Sequence, residues 1–229
     1  KRISNNYPEG FLGINIRPNK EKKNKEEDYY TCLSRLSMFA GYITINISSP
    51  NTEGLRNFHD QGELKKLLTG LNKIINEKKI ECPIAIKISP DIKDDEISKI
   101  VELVSSHNIK GIVVSNTTDS NRNNLSDTKK NEIGGLSGQP LKDISTNLIK
   151  RFYKETKGKI KIIGVGGVDS GQSAYEKITA GANAVQLYTG MVYKGPGIVK
   201  EIKKDLVSIL KKEKIENISK AVGINAWPC

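Results

Sequence analysis

Short apolar runs alternate with longer amphipathic segments along the whole chain. The short runs have the length and composition of buried strands, and the longer segments repeat their apolar residues at helical spacing. The pattern predicts strands at residues 12–16, 42–48, 84–89, 111–116, 160–165 and 184–188. It predicts helices at residues 27–40, 62–78, 94–107, 141–156, 171–180 and 195–212. Strands and helices that alternate in this order are typical of an α/β protein with a parallel sheet and crossover helices.

Four of the predicted strands differ in chemistry between their two faces. Isoleucine or valine fills one face, and the other carries Asn15, Asn46, Lys87 and Ser115 near the C-terminal ends. A doubly wound sheet, with helices on both sides, would be apolar on both faces. In a β/α barrel one face packs on helices, and the other points inwards and towards ligands at the C-terminal rim. We therefore predict a β/α (TIM) barrel of which residues 1–229 form one partial domain with about six of the eight units, the missing pair being expected before Lys1.

Composition narrows the class of protein only a little. The net charge of +11 is compatible with nucleic acid or an anionic membrane, but the lysines are mixed with acidic residues, as on solvated helix faces. Cys32, Cys82 and Cys229 have neither Cys-x-x-Cys nor metal-ligand spacing, so we predict no metal site and a reducing compartment. No apolar run approaches the roughly 18 to 20 residues that cross a bilayer, and no signal peptide is visible. The chain by itself is therefore expected to be soluble.

Two turns have the composition of phosphate-binding loops. The stretch GVGGVDSG (residues 164–171) follows a strand and opens a helix, and LYTG (residues 187–190) closes the next strand. Glycines let backbone N–H groups approach a phosphate, and a helix N-terminus adds a favourable partial charge. The loops after the last two strands are the usual phosphate site of a β/α barrel. Tight turns without a ligand are the alternative.

Lys87 and several asparagines are the other polar groups expected at the rim. A lysine at an inward strand position is costly to bury unless it meets a negative partner. A reduced flavin, which is negative near N1, would be such a partner, and a structural salt bridge is the alternative. Asn15, Asn46, Asn51 and Asn116 offer donors and acceptors that suit the edge of a pyrimidine or a flavin, although a single asparagine is more often a turn residue.

Six stretches of the chain together resemble one family. They read NISSPNTEGLRN, IAIKISPD, VSNTT, GGLSGQPLKDIST, IIGVGGVDSGQSAYEKITAGANAVQLYTG and KGPGIVKEIKKDL. From about Gly13 to Gly223 the chain resembles the C-terminal portion of class 2, quinone-linked dihydroorotate dehydrogenase, a flavin-dependent β/α barrel of pyrimidine synthesis. The resemblance implies oxidation of (S)-dihydroorotate to orotate in UMP biosynthesis, with FMN as hydride acceptor and a quinone as final electron acceptor.

The resemblance also implies a role for individual residues. Ser49 stands where class 1 relatives have a catalytic cysteine, and would remove the C5 proton of the substrate with Thr52 as the neighbouring hydroxyl. Substrate contacts are implied for Asn46, Asn51, Asn116 and Thr117. FMN contacts are implied for Asn15, Asn46, Lys87, Ser115, Gly138, Gly167, Tyr188 and Thr189, the last three around the phosphate.

The chain departs from the family pattern at three places. Arg17 and Pro18 replace a glycine-containing turn beside the flavin site, and the ending from Trp227 to Cys229 is unusual. As a third departure, the resemblance implies that the first two strands are missing from the given sequence; in the family they carry a substrate-binding lysine and a further flavin-contacting segment. The N-terminal helices that dock on the membrane and admit quinone are expected to be missing with them.

These departures leave alternatives open. A full-length protein is expected to be peripheral on the bacterial cytoplasmic membrane or the mitochondrial inner membrane. An inactive remnant of this enzyme is one alternative, and an FMN barrel acting on tRNA is another, although no nucleic-acid partner is predicted. His59 and His107 are expected to be non-catalytic, and residues 118–131 are expected to form a long loop on the functional rim or a mobile surface insertion.

Overall fold

The structure is a computed structural model that describes residues 9–19, 21, 24–51, 54–120, 122 and 125–227. In this part of the chain the strands are β1 (Gly13–Ile16), β2 (Tyr42–Asn46), β3 (Ile84–Lys87), β4 (Gly111–Val114), β5 (Lys161–Val165) and β6 (Ala184–Gln186). The helices are α1 (Lys25–Leu36), α2 (Gln61–Lys78), α3 (Asp94–Ser106), α4 (Lys142–Thr156), α5 (Gly171–Ala180), α6 (Thr189–Lys194) and α7 (Ile198–Lys212). Short 3-10 segments cover Ser37–Phe39, Leu55–His59, Gln139–Leu141 and Ile218–Ala221.

The six strands in the described residues form one parallel sheet, in chain order from β1 to β6. The sheet is curled. A hydrogen bond across its concave face shows this: Gln186 of β6 donates from Nε2 to Tyr42 Oη of β2 at 2.7 Å. Within these residues β1 and β6 are the two edge strands. The fold is therefore a curled half-barrel of six β/α units, which confirms the predicted fold class.

The two faces of the sheet differ as the strand pattern predicts. Ile43, Ile45 and Ile47 are fully buried and pack with isoleucines of the neighbouring strands and leucines of the helices in one core. Burial of each isoleucine side chain on the convex face stabilises the fold by about 1.5–3 kcal/mol. The register places Asn46 beside Lys87 on the opposite, concave face. The core thus lies between sheet and helices, and the polar strand residues point away from it.

The C-terminal helical region differs from its prediction. The pattern predicts one helix at 195–212, whereas the structure has α6 before it and begins α7 at Ile198. Gly195 separates the two helices with a φ of 74°, a conformation that favours glycine. With only six residues, α6 is too short to show a helical period in the sequence.

The loop after β4 spans the predicted stretch 118–131. Thr118 forms an isolated antiparallel bridge with Leu136, which closes the loop at its base. Arg122 donates from Nη1 to the backbone carbonyl of Lys130 at 3.0 Å. The described part of this loop is therefore held by this backbone bridge and by the Arg122 side chain.

Three further features concern the described residues only. None of their helices is both long enough and apolar enough to span a bilayer. Neither Cys32 nor Cys82 forms a disulfide, and Cys229 lies outside the described residues. No group of three or more histidine, cysteine, aspartate or glutamate side chains in the described ranges is arranged to hold a metal ion.

Candidate functional site

A cavity of about 780 Å³ opens at the C-terminal ends of the strands. Its wall is formed by the end of β3 and by the loops that follow β4, β5 and β6. The lining residues are Lys87, 115–117, 135–141, 165–169, 187–190, Tyr193 and Lys194. Ligand pockets commonly have volumes of about 300–1,000 Å³, and β/α barrels hold their ligands at this end. The cavity is thus a candidate site for a cofactor together with a small substrate.

Side-chain hydrogen bonds connect the polar groups at one side of the cavity. Asn116 donates from Nδ2 to Asn46 Oδ1 and to Ser48 Oγ, both at 3.1 Å. The Ser48 hydroxyl donates to the carbonyl of Lys87 at 2.7 Å, and the backbone N–H of Thr117 donates to Asn116 Oδ1 at 2.9 Å. These bonds fix the direction of both amides, because their oxygens accept from protein donors. The predicted substrate residues Asn46, Asn116 and Thr117 therefore form one connected cluster, which we call the amide cluster.

Lys87 is the last residue of β3 and is half-buried at the wall of the cavity. Burial lowers the pKa of its ammonium. Among the described residues no carboxylate lies within ion-pair distance of its Nζ, so the structural salt bridge is not found there. A desolvated ammonium without a negative partner favours an anionic ligand group beside it.

Ser49 lies in the loop that follows β2 and is only 6% exposed. Its Oγ accepts a hydrogen bond from the backbone N–H of Asn51 at 3.3 Å. This loop packs closely on the loop after β4, since a Cβ added at Gly135 would lie 3.1 Å from Pro50 Cγ and closer still to the Thr117 side chain. The serine loop is therefore held beside the amide cluster.

The loops after β4, β5 and β6 converge at the other end of the cavity. Gly166 and Gly167 have φ values of 119° and 68°, in the region that favours glycine. A Cβ on Gly167 would lie 2.5 Å from Lys142 Cβ, so a larger residue could not approach α4 this closely. The hydroxyls of Ser137 and Thr189 are 2.9 Å apart and join the loop after β4 to the start of α6. The turns that the sequence predicts as phosphate loops thus meet at one place.

An ion-pair cluster ties together the loops after β2, β3 and β4. Arg56 donates from Nη2 to Asp91 Oδ2 at 3.0 Å and from Nη1 to Asp119 Oδ1 at 2.7 Å. Asp91 Oδ1 also accepts from the hydroxyl of Ser120 at 2.6 Å and from that of Thr118. The sequence prediction missed this cluster. The sequence nevertheless contains a signal for this cluster. Arg56, Asp91 and Asp119 each follow one of three consecutive predicted strands, and the C-terminal ends of those strands meet at one rim.

His59 links the serine loop to the residues after β3. The imidazole is buried, and its Nε2 accepts from the backbone N–H of Ser89 at 3.4 Å. Burial, together with the nearby charge of Arg56, lowers the pKa of His59 to about 4. The ring is therefore neutral at physiological pH and makes a structural contact.

Acidification is expected to destabilise the fold through His59. The pKa of this group is 6.5 before folding and about 4 in the folded chain. Between these values the unfolded state binds more protons, so the stabilisation is complete above about pH 6.5 and is lost as the pH falls towards 4. From about pH 7.5 to about pH 5 the expected loss through this residue is about 2 kcal/mol.

Urea unfolding at these two pH values measures that loss. His59→Gln removes the imidazole and should lose about 2 kcal/mol less than the unmodified chain on acidification. His107→Gln, at a partly exposed helix end, is the matched control and should lose as much as the unmodified chain. Equal losses in the His59 variant and the unmodified chain would contradict the prediction.

The structure brings most of the predicted site residues to the cavity. Those that line it are Lys87, Ser115, Asn116, Thr117, Gly138, Gly167, Tyr188 and Thr189. Asn46 is hydrogen-bonded to this group, and Ser49 and Asn51 lie in the adjacent loop. Asn15 is exposed on the edge strand β1 and does not line the cavity. Thr52 lies outside the described residues.

Comparison with known proteins decides the family. The family profile described as "Dihydroorotate dehydrogenase" matches residues 1–210. The chain belongs to the dihydroorotate dehydrogenase family. The resemblance inferred from the sequence motifs is thereby confirmed, and membership of this family implies a flavin cofactor in general.

Relatives of known name agree with this assignment. A mitochondrial dihydroorotate dehydrogenase (quinone) of Arabidopsis thaliana is 40% identical over 219 residues, which cover 93% of this chain and 48% of that protein. A dihydroorotate dehydrogenase (quinone) of Bradyrhizobium sp. strain ORS 278 is 39% identical, covering 96% of this chain and 63% of that protein. The chain thus spans about half to two thirds of the length of these relatives.

A solved structure gives the same result for the fold. The crystal structure of DHODH from Eimeria tenella in complex with ferulenol matches with a TM-score of 0.91 and 35% sequence identity. The match covers 97% of this chain and 64% of that chain. This chain therefore has the fold of about two thirds of that solved structure.

Proposed function

We propose that this chain provides the catalytic face of a dihydroorotate dehydrogenase. The reaction is oxidation of (S)-dihydroorotate to orotate in UMP biosynthesis, with FMN as hydride acceptor and a quinone as final electron acceptor. The observation that carries the proposal is the cavity, which joins Lys87 to Asn116 of the amide cluster and to the convergent glycine loops. We further propose that the full-length protein admits quinone and is peripheral on a bacterial cytoplasmic or mitochondrial inner membrane.

The residues that line the cavity fit FMN. At the phosphate end, Gly138 and Gly167 have positive φ values, and a Cβ at either would come within 3.0 Å of a neighbouring residue. The Thr189 hydroxyl and the backbone N–H of Tyr188, which also line the cavity, would be further donors there. At the other end, Lys87 and Ser115 would contact the ring. Bound FMN supplies a hydride acceptor whose reduced ring is negative near N1, where the Lys87 ammonium would stabilise it.

The amide cluster suits the substrate. A dihydropyrimidine ring presents alternating N–H and C=O groups, which match the paired donor and acceptor of an asparagine. The Oδ1 of Asn46 already accepts from Asn116 and from the backbone of Ser48, so its Nδ2 remains as a donor towards a ligand. Asn51 and Thr117 would complete the contacts from the two adjoining loops. Such fixed contacts accelerate a reaction by orienting the substrate.

Ser49 is the proposed base for the C5 proton. A hydroxyl is a weak base, so it must pass its own proton onward as it works. Thr52, outside the described residues, is the hydroxyl that we propose for this relay. The near-complete burial of Ser49 keeps bulk water away, which strengthens the electrostatic interactions of the reacting groups.

Flavin binding and reduction test the proposal directly. The purified chain is mixed with FMN, freed of unbound flavin by gel filtration and examined by visible absorption. A yellow protein that dihydroorotate bleaches in the absence of oxygen is the expected result. Dihydrouracil, which lacks the carboxylate, serves as the matched control and should leave the colour unchanged. A colourless protein would contradict FMN binding and favour an inactive remnant, and a yellow protein that dihydroorotate does not bleach would contradict the proposed substrate.

A further inference from the structure

Lys177 is a fully buried lysine that the proposed chemistry does not use. It lies on α5 with no exposed surface. Its Nζ donates to the Lys142 carbonyl at 3.2 Å, to Ser145 Oγ at 2.5 Å and to Thr146 Oγ1 at 3.0 Å. All three acceptors are neutral oxygens within the first five residues of α4. Among the described residues its Nζ has no carboxylate within ion-pair distance, so the buried charge is solvated but not neutralised.

This ammonium lies directly behind the glycine turn of the cavity. The Ser145 hydroxyl that accepts from Lys177 is also 3.4 Å from the carbonyl of Gly166. Gly167 packs on the same helical turn, because a Cβ there would lie 2.7 Å from the Cα of Lys142. The lysine stem runs along β5, where a Cβ at Gly164 would be 3.3 Å from its Cδ. One side chain therefore connects β5, α4 and the turn that would hold a phosphate.

The charged groups around Lys177 do not cancel its charge. Lys142 and Glu176 form an ion pair with each other at 2.8 Å, and Asp143 lies in the first turn of α4. Burial and the nearby charge of Lys142 lower the pKa of Lys177 to about 8, although Glu176 and Asp143 oppose the change. The N-terminus of α4 adds a positive partial charge at the same place. An anion in the neighbouring turn would compensate this positive field.

We propose that Lys177 is a positioning residue for the phosphate end of the ligand. It holds the glycine turn against α4, and it places a positive charge behind the backbone that a phosphate monoester dianion would contact. The inference rests on the proposed function, since FMN is the phosphate monoester concerned. Lys177 acts through the turn, because the backbone of Gly166 and Gly167 lies between its ammonium and the cavity.

Comparison of FMN with riboflavin isolates this role. The two flavins share the ring and differ in the phosphate, so a residue that acts on the phosphate changes only the affinity for FMN. A residue that merely supports the fold changes both affinities equally. Quenching of flavin fluorescence gives both dissociation constants without any turnover.

The Lys177→Met variant is titrated beside the unmodified chain. Its dissociation constant for FMN should rise about tenfold or more, because a charge in low-dielectric surroundings is lost, and that for riboflavin should stay within about twofold. Lys203→Met, which changes an exposed lysine of α7, is the matched control and should leave both constants unchanged. Equal losses for both flavins, or no loss for FMN, would overturn the proposal.

A pH series on the unmodified chain tests the same point without a variant. Between about pH 7 and about pH 9 the phosphate stays dianionic, because its second pKa is about 6. The pKa of Lys177 is about 8 in the free chain, and a bound dianion would raise it. The affinity for FMN relative to riboflavin should therefore fall several-fold as the pH rises through this range, and the ratio cancels any effect of Lys87 at the ring. A constant ratio would overturn the proposal.

The two proposals fail in distinguishable ways. An unmodified chain that binds neither flavin contradicts the proposed function and, with it, the role of Lys177. A chain that binds FMN but shows no selective change in the variant or in the pH series contradicts the role of Lys177 alone.

Discussion

Replacing Ser49 by alanine is expected to slow the bleaching of bound FMN by dihydroorotate about 10²- to 10⁴-fold, while FMN binding remains unchanged. The range is the usual contribution of a positioned general base. Ser49 is buried in the loop beside the amide cluster and does not line the cavity proposed to hold FMN. Loss of its hydroxyl should therefore affect proton removal and not the cofactor. Single-turnover mixing of the flavin-loaded chain with dihydroorotate under anaerobic conditions measures the effect.

Two further variants sharpen the Ser49 experiment. Ser49→Cys retains a proton acceptor, and because a thiol has a pKa of about 8.5 its rate should exceed that of the alanine variant and rise with pH. Ser105→Ala removes an exposed hydroxyl on α3 and should react at the unmodified rate. An alanine variant at position 49 that bleaches as fast as the unmodified chain would exclude this serine as the base.

The second large effect is expected at Lys87. Lys87→Met should weaken FMN binding about tenfold or more and slow flavin reduction about 10²- to 10³-fold. The substitution removes the desolvated charge that we propose stabilises the negative charge of the reduced flavin. The ammonium has no carboxylate partner in the described part of the chain, so methionine leaves no charge unpaired there. Titration with FMN and anaerobic bleaching measure the two effects separately.

Lys93→Met is the matched control for Lys87. Lys93 lies a few residues after the end of β3, the strand that ends with Lys87. Its side chain is exposed at the start of α3. The same chemical change at this position should leave both flavin affinity and reduction rate within about twofold. A Lys87 variant that matches the Lys93 variant in both measurements would contradict a flavin contact for Lys87.

The fold and most of the cavity wall could be predicted from local sequence. The alternation of isoleucine with polar residues in β2 indicates which face of the strand is buried, because successive side chains of a strand point to opposite faces. Polar residues that follow consecutive parallel strands must meet at one rim, which explains why Lys87, Ser115 and Asn116 lie together. Glycines that need positive φ values, such as Gly167, are likewise visible as turn signals.

Features that depend on distant contacts could not be predicted in this way. Arg56 and Asp119 are separated by 63 positions, and only the paths of two loops bring them together. Lys177 follows an acidic residue on an amphipathic helix, a pattern that local sequence cannot distinguish from an exposed lysine. Asn15 has the strand position expected of a ligand contact. However, β1 pairs with a neighbouring strand on one side only within the described chain, so Asn15 lies exposed on an edge strand.

The two edge strands of the described sheet, β1 and β6, affect how readily copies of the protein associate. The outer edges of β1 and β6 present unpaired backbone donors and acceptors within the described residues, and such edges are templates for pairing between molecules. The net charge of +11 keeps copies apart by mutual repulsion, which acts over only about 8 Å at physiological ionic strength. Added salt therefore weakens this repulsion, and we expect dilute, low-salt buffers to limit self-association.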